Sequence, residues 1–432
     1  MMVDDMRRMK NSSISGVGII PEEWKESRLN YECYIRARLG WRGLKAEEYV
    51  DEGYAFISAF NIQNGKLVWS PLNHITKERY DESPEIKIKV GDVLIVKDGA
   101  GVGKCARVDE LPMGGTAPNS SIGVITPTGS LSYRFLCYYF QSPVFSNFVN
   151  LLYNGMGVPH LTQEVLKNIK ISFPSVDEQN AISDYLDYRC EEIDALLEDI
   201  QSEINTLTAY KQAIITEAVT KGLEKEVSLK NTGTKWLGEI PAHWIISRIG
   251  SVYSVRNSKV SDRDYEPLSV TMKGIVPQLE TAAKTDAHDD RKLVRKGDFV
   301  INSRSDRRGS CGISPFDGSV SLINTVLAPL DKMNPEYYNW LFHTSEFADE
   351  FYKWGHGIVD DLWTTGWQEM KRIIIPYPPL VEQETIAAYL NEKCSEIDFI
   401  LARRQEQLDI LSDYKRSMIY EYVTGKKEVP NG

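Results

Sequence analysis

The chain has 432 residues, of which 42% are hydrophobic and 26% charged, with 30 glycines and 19 prolines. This is a folded composition that excludes a disordered or collagen-like polymer, and the length predicts about two to four domains. No apolar run approaches the roughly 18 residues of a membrane span, and "MMVDDMRRMKNSS" has no apolar core behind its charges, so a cytoplasmic protein is expected. A formal net charge of -11 argues on average against a nucleic-acid partner, but the charge is segregated. Residues 177–200 carry nine acids against Arg189 alone, whereas residues 35–45 carry Arg36, Arg38, Arg42 and Lys45 with no acid.

In chain order, "GIIPEEWKESRL" (18–29) leads into "YIRARLGWRGLK" (34–45) and then into β-rich stretches, "YAFISAFNI", "IKVGDVLIVKDG" and "SSIGVITP". "LSYRFLCYYFQSPVFSNFVNLL" (131–152) reads as aromatic-rich helix, with the aromatic stripe facing a core. A long helix follows. From Leu186, steps of four and three carry Cys190, Ile193, Leu197, Ile200, Ile204 and Leu207, then Lys211, the pattern of a coiled-coil seam. The same register returns 204 residues later as Leu390, Cys394, Ile397, Leu401, Arg404, Leu408, Leu411 and Lys415, with 19 identities in the 47 positions from Pro174 and Pro378.

Between the helices, "GEIPAHWIISRI" (238–249) repeats the opening, and "RKGDFVIN" (295–302) matches "KVGDVLIV" (89–96). "NPEYYNWLFHTSEFADEFYKW" (334–354) is the second aromatic helical stretch. The order is variable block, repeated block, variable block, repeated block. The economical packing is an antiparallel helix pair with a pseudo-twofold repeat, a spacer on the order of 65 Å carrying a globular block at each end. The predicted seam is Leu186, Ile193, Leu197, Ile204 and Leu207 against Leu390, Ile397, Leu401, Leu408 and Leu411. Lys211 and Lys415 share one seam slot, where a charge fixes register, meets an outside partner or marks an exposed edge.

Six cysteines (Cys33, Cys105, Cys137, Cys190, Cys311, Cys394) stand far apart with no CxxC pair and no histidines at metal-ligand spacing, so reduced buried thiols and no metal are expected. "DGAGVGKC" (98–105) fails as a phosphate-binding P-loop, having Asp98 and Cys105 where the motif needs Gly and a hydroxyl. Its glycines permit either an ordinary hairpin or a tight loop that brings Lys97 or Lys104 to a phosphate. "NPEY" (334–337) is one residue away from an amino-methyltransferase motif but lacks a glycine-rich cofactor loop. What remains is basic. Arg36, Arg38 and Arg42 around Trp41 suit phosphate clamping and guanine reading, and in "INSRSDRRGSCG" (301–312) Arg304, Arg307 and Arg308 stand among Ser303, Ser305 and Ser310. Solvated surface is the plain alternative for either cluster.

The paired "IPxxW" openings (Ile20, Pro21, Trp24; Ile240, Pro241, Trp244), the "GD" strands (Gly91, Asp92; Gly297, Asp298) and the doubled "P...EQ..I..YL" and "C.EID" helices resemble the specificity subunit of type I restriction-modification systems across essentially the whole chain. The resemblance implies an α+β protein with two mixed α/β target recognition domains separated by two long antiparallel coiled-coil helices. Its layout is recognition domain 1 at 1–173, helical spacer 174–226, recognition domain 2 at 227–377 and helical spacer 378–432. It implies a non-catalytic subunit that binds no cofactor itself, with each domain reading one half of a bipartite, asymmetric double-stranded DNA site. The helices would hold two adenine-N6 methyltransferase subunits that use S-adenosylmethionine, and motor-nuclease subunits would join for restriction, in a bacterial or archaeal cytoplasm at the nucleoid. DNA contact is carried onto Arg36, Arg38, Trp41, Arg42, Lys97, Lys104, Ser303, Arg304, Arg307 and Arg308. An adaptor partnering only a methyltransferase is the alternative within this reading. Outside it, a nucleotide-binding or methyltransferase enzyme and a plain coiled-coil adaptor remain.

Overall fold

Alternating steps of three and four, uninterrupted by Gly or Pro, fold as two unbroken helices, Val176–Lys221 (46 residues) and Leu380–Val423 (44 residues). The computed structural model describes residues 7–37, 44–99, 101–153, 160–280, 288–357 and 363–430. Contacts divide the chain into two units, one formed by the chain up to Gln201 together with that from Glu406, the other from Ser202 to Gln405. Each unit therefore holds one globular lobe and half of each long helix.

In the first unit the lobe opens with an antiparallel hairpin of Met9–Asn11 and Ile19–Pro21. It closes where Lys25–Arg28 pairs with Lys170–Phe173, so its first and last strands lie side by side. Between them stands a four-stranded antiparallel sheet in the order Cys105–Arg107, Val93–Val96, Ile122–Pro127, Cys33–Arg36. The run Val93–Val96 is buried throughout because both faces of the sheet are covered. Val93 and Ile95 enter the main core with Phe135, Tyr139 and Phe145 from the helices Tyr133–Gln141 and Pro143–Tyr153. Leu94 and Val96, one residue out of phase, enter a second, smaller core with Ile57 and Ile62.

The second unit repeats this plan. Its hairpin is Leu229–Asn231 with Glu239–Pro241, its closing pair Ile245–Arg248 with Ile374–Tyr377, and its sheet runs Cys311–Ile313, Phe299–Asn302, Asn324–Pro329, Tyr253–Val255. Phe299 and Ile301 face the aromatic helices Pro335–Phe342 and Ser345–Lys353, while Val300 faces the smaller core.

The repeated "W" and "EQ" residues are the joints between lobe and helix. Trp24 donates its indole N–H to Glu178 at 3.3 Å, and Trp244 donates to Glu382 at 2.7 Å. The neighbouring glutamines are fully buried: Gln179 accepts from the Ser132 N–H (2.7 Å) and donates to the Ser130 and Pro174 carbonyls, and Gln383 accepts from the Asn334 N–H (2.8 Å) and donates to the Pro378 carbonyl.

Within each unit the two half-helices run antiparallel. In the first, Tyr185 meets Tyr422 and Lys415 pairs with Asp194 at 2.5 Å; in the second, Lys211 grips both oxygens of Asp398 (2.6 and 2.7 Å) and Arg404 pairs with Glu203. The shared lysine slot thus meets the aspartate of the other helix's "EID", an intramolecular register pin. Of the seam residues, Leu186, Ile193, Leu390, Ile397 and Leu408 are buried, and Leu197, Ile204, Leu207, Leu401 and Leu411 are half-buried. The six cysteines are buried free thiols, and burial pushes the Cys311 thiol up to about 12, far from thiolate reactivity.

Candidate nucleic-acid interface

The glycine- and lysine-bearing stretch of the first unit and the arginine stretch of the second lie on equivalent loops. In the first unit, residues 97–104 connect Val93–Val96 to Cys105–Arg107; in the second, residues 303–310 connect Phe299–Asn302 to Cys311–Ile313. Each loop is seated the same way. The Lys97 N–H donates to the Ser121 carbonyl (2.7 Å) and the Lys97 carbonyl accepts from Leu161, just as the Ser303 N–H donates to Ile323 (3.2 Å) and the Ser303 carbonyl accepts from Thr365. Gly99 and Gly103 adopt φ of 83° and 88°, the left-handed turns that let the first loop fold back on itself.

The arginines of the second loop stand outward. Side-chain exposure is 34% for Arg304, 69% for Arg307 and 52% for Arg308. Arg304 and Arg307 flank Asp306, at 3.2 and 3.9 Å, and Arg308 pairs with Asp349. Such exposed pairs are worth about 0–1 kcal/mol, so a phosphate offering bidentate, charge-assisted bonds can recruit these guanidinium groups. Lys104 is likewise exposed, at the end of the first loop.

Three residues expected at the ligand are instead structural. Arg36 lies on the sheet with its side chain only 11% exposed, donating to Asp92 (2.6 Å; 0% exposed), Thr126 and the Lys87 carbonyl. Its counterpart in the second unit, Arg256, pairs with Asp298 at 2.7 Å, so the aspartate of each "GD" strand is an internal anchor for an arginine on the sheet's far edge. Lys97 is buried beside Gly123, where desolvation lowers its pKa, and the buried Ser303 hydroxyl is bonded to that of Thr325. Arg36 is drawn in by Asp92, and Lys97 and Ser303, the first residues beyond their strands, are covered where the neighbouring turns bond their main chain. Arg38, Trp41 and Arg42 lie outside the described residues.

A second hairpin lies against each loop-bearing strand and was not singled out from the sequence. In the first unit it is Ile62–Gln63 with Lys66–Leu67, turning through Asn64 and Gly65 at φ 47° and 78°, and Gly65 bridges to Ala106. In the second it is Leu268–Thr271 with Gly274–Pro277, and a Cβ on Gly312 would come within 2.9 Å of the Gly274 Cα. The hairpin tips thereby place Gln63 and Asn64, or Met272 and Lys273, beside the loops. The signal available was "QNGK", a two-residue turn sequence of the kind that demands positive φ.

Residues 21–206 match the family model of the type I restriction modification DNA specificity domain. A type I restriction enzyme specificity subunit from Methanocaldococcus jannaschii (MjaVIII) is 22% identical over 95% of both chains, and that of EcoKI from Escherichia coli K12 is 21% identical, covering 95% of this chain and 90% of its own. Over the first lobe and most of the first long helix the chain is thus similar to the type I specificity-subunit family. A solved structure from work on complex assembly and conformational transition of the type I R-M system superimposes with a TM-score of 0.69 at 17% identity, covering 94% of this chain and 99% of the other, so the fold is shared.

In this chain the first lobe's loop-bearing strand is tied to the long helix through Asp187. That carboxylate accepts from Arg107 (2.6 Å), Tyr138 (2.5 Å) and Arg134, while Arg134 also pairs with Asp184. Burial works to raise the Asp187 pKa, but the bonds from Arg107, Tyr138 and Arg134 outweigh it and hold the group below the usual carboxylate range. A pKa depressed on folding gives stability that is complete above the unfolded value, about 3.9, and is lost as pH falls through the lower folded value. Asp187→Asn is therefore expected to cost about 1.5–3 kcal/mol at pH 7, with the gap to wild type narrowing below about pH 4. Urea titrations from pH 7 to pH 3 measure this; a gap independent of pH would refute the assigned network.

Proposed function

We propose that each unit reads one half of a split, asymmetric DNA site, making the chain the non-catalytic, sequence-reading component of a type I restriction-modification complex. The observation that carries this is the doubled cradle: one backbone arrangement holds two loops of unlike chemistry, glycine- and lysine-bearing in one unit, arginine-rich in the other. Loops on a rigid scaffold are where base contacts are built, while phosphate contacts from Lys104, Arg304, Arg307 and Arg308 set the register on the duplex.

The helices supply what a repeated partner needs. Leu196 and Ile400 are exposed at positions 204 residues apart, as are Tyr210 and Tyr414. Among the exposed apolar side chains of the helices, each unit thus displays one matched pair, Leu196 with Tyr414 and Ile400 with Tyr210, in duplicate for two copies of one protein. That partner is an adenine-N6 methyltransferase, which brings S-adenosylmethionine and takes the target adenine out of the stack; motor-nuclease subunits complete the restricting assembly.

Mapping N6-methyladenine across the chromosome of the host, with and without this protein, tests the reading. The expected result is a two-part asymmetric motif with a methylated adenine in each part, and replacement of residues 235–370 should alter one part only. A continuous or palindromic motif that depends on this chain would overturn the assignment of two readers.

A further inference from the structure

Around the arginine loop the second unit also exposes apolar side chains. Met272, at the hairpin tip, is 71% exposed, and its methyl group lies 4.0 Å from where a Cβ on Gly309 would stand. Leu322 and Ile323 are exposed on the turn that holds the Ser303 N–H, and Trp363, also exposed, accepts from the Ser305 N–H at 2.9 Å. Scattered exposed apolar residues are ordinary, but here they share one surface with Arg304, Arg307 and Arg308. Those three exposed arginines on one loop favour a polyanion as the occupant. The first unit differs at the matched places, with Asn64 and Gly65 at its hairpin tip and Ser120 and Ser121 on its turn.

We propose that the second unit reads its half-site in part by covering the C5-methyl group of a thymine with Met272, flanked by Leu322 and Ile323. Thymine alone among the four bases presents a methyl group in the major groove, and an apolar side chain is the group that recognises it. The arginines on either side take up phosphate or guanine edges and press the apolar tip against the bases. In the first unit the amides of Gln63 and Asn64 suit hydrogen bonding to a base edge instead. This inference rests on the DNA-reading assignment above.

The test uses the full chain in complex with its methyltransferase. Duplexes are selected from a randomised library, and the half belonging to the second unit is identified as the one whose selectivity relaxes in Arg307→Ala. Each thymine of the selected duplex is then replaced by 2′-deoxyuridine, which removes only the methyl group. Binding is expected to weaken about fourfold at one or more thymines of that half, the effect of exposing one methyl-sized group, and to stay unchanged in the other half. Met272→Ala should abolish the difference between thymine and uracil. Selective DNA binding with no uracil effect in that half, or an effect that survives Met272→Ala together with Leu322→Ala and Ile323→Ala, overturns this inference alone. Failure to select any sequence overturns the DNA-reading assignment and this inference with it.

Discussion

Replacing Arg304, Arg307 and Arg308 together by glutamate should weaken binding of the target duplex about a thousandfold at near-physiological salt. A lost base or phosphate contact of this kind costs about 1–3 kcal/mol, and about 1.4 kcal/mol is a factor of ten, so three contacts compound to that scale. The substituted side chains are substantially exposed and their present partners, Asp306 and Asp349, are surface carboxylates, so the lobe has no reason to unfold. Fluorescence anisotropy across a salt series should also show a shallower dependence on salt, because fewer phosphates are neutralised. Unchanged affinity and slope would leave the chain a helical adaptor whose basic loop is mere surface.

The second large effect concerns the fold. Asp92 is wholly inaccessible and carries the charge that balances Arg36, so Asp92→Ala strands a guanidinium in the interior and should cost about 3–5 kcal/mol. Removing both charges, as Arg36→Met with Asp92→Leu, should restore much of that loss, since the penalty belongs to the uncompensated ion and not to the missing pair. Denaturant unfolding of the two variants beside wild type decides it: a double variant as unstable as the single one would show that the pair is not what Asp92 supports.

These outcomes bear on what the residues announced in advance. The long helices were legible because their signal is local: Leu186, Cys190, Ile193 and Leu197 recur at helical spacing with no Gly or Pro between. Their antiparallel sense within each unit followed from economy of packing, but the pairing of Lys415 with Asp194 joins residues 221 positions apart, which no periodicity encodes. Arg36 was misjudged for the same reason. Its partner Asp92 is 56 residues away, and in one dimension a buried, paired arginine looks like an exposed one. The exposure of Arg304, Arg307 and Arg308 was legible, since Ser, Asp and Gly around them mark a turn. Met272 and Ile323 could not be found from composition, because exposed apolar residues betray themselves only once the surface around them is known.

The joints between lobe and helix have one further consequence. Gln179 and Gln383 hold their lobes through main-chain N–H and carbonyl groups, at Ser132, Ser130 and Pro174 in one case and Asn334 and Pro378 in the other. Main-chain atoms are common to every amino acid, so these attachments do not care what the lobe's own side chains spell. A lobe of different sequence that offers the same main-chain groups could sit on the same glutamines, leaving only side-chain ties such as that of Arg107 to Asp187 to be rebuilt.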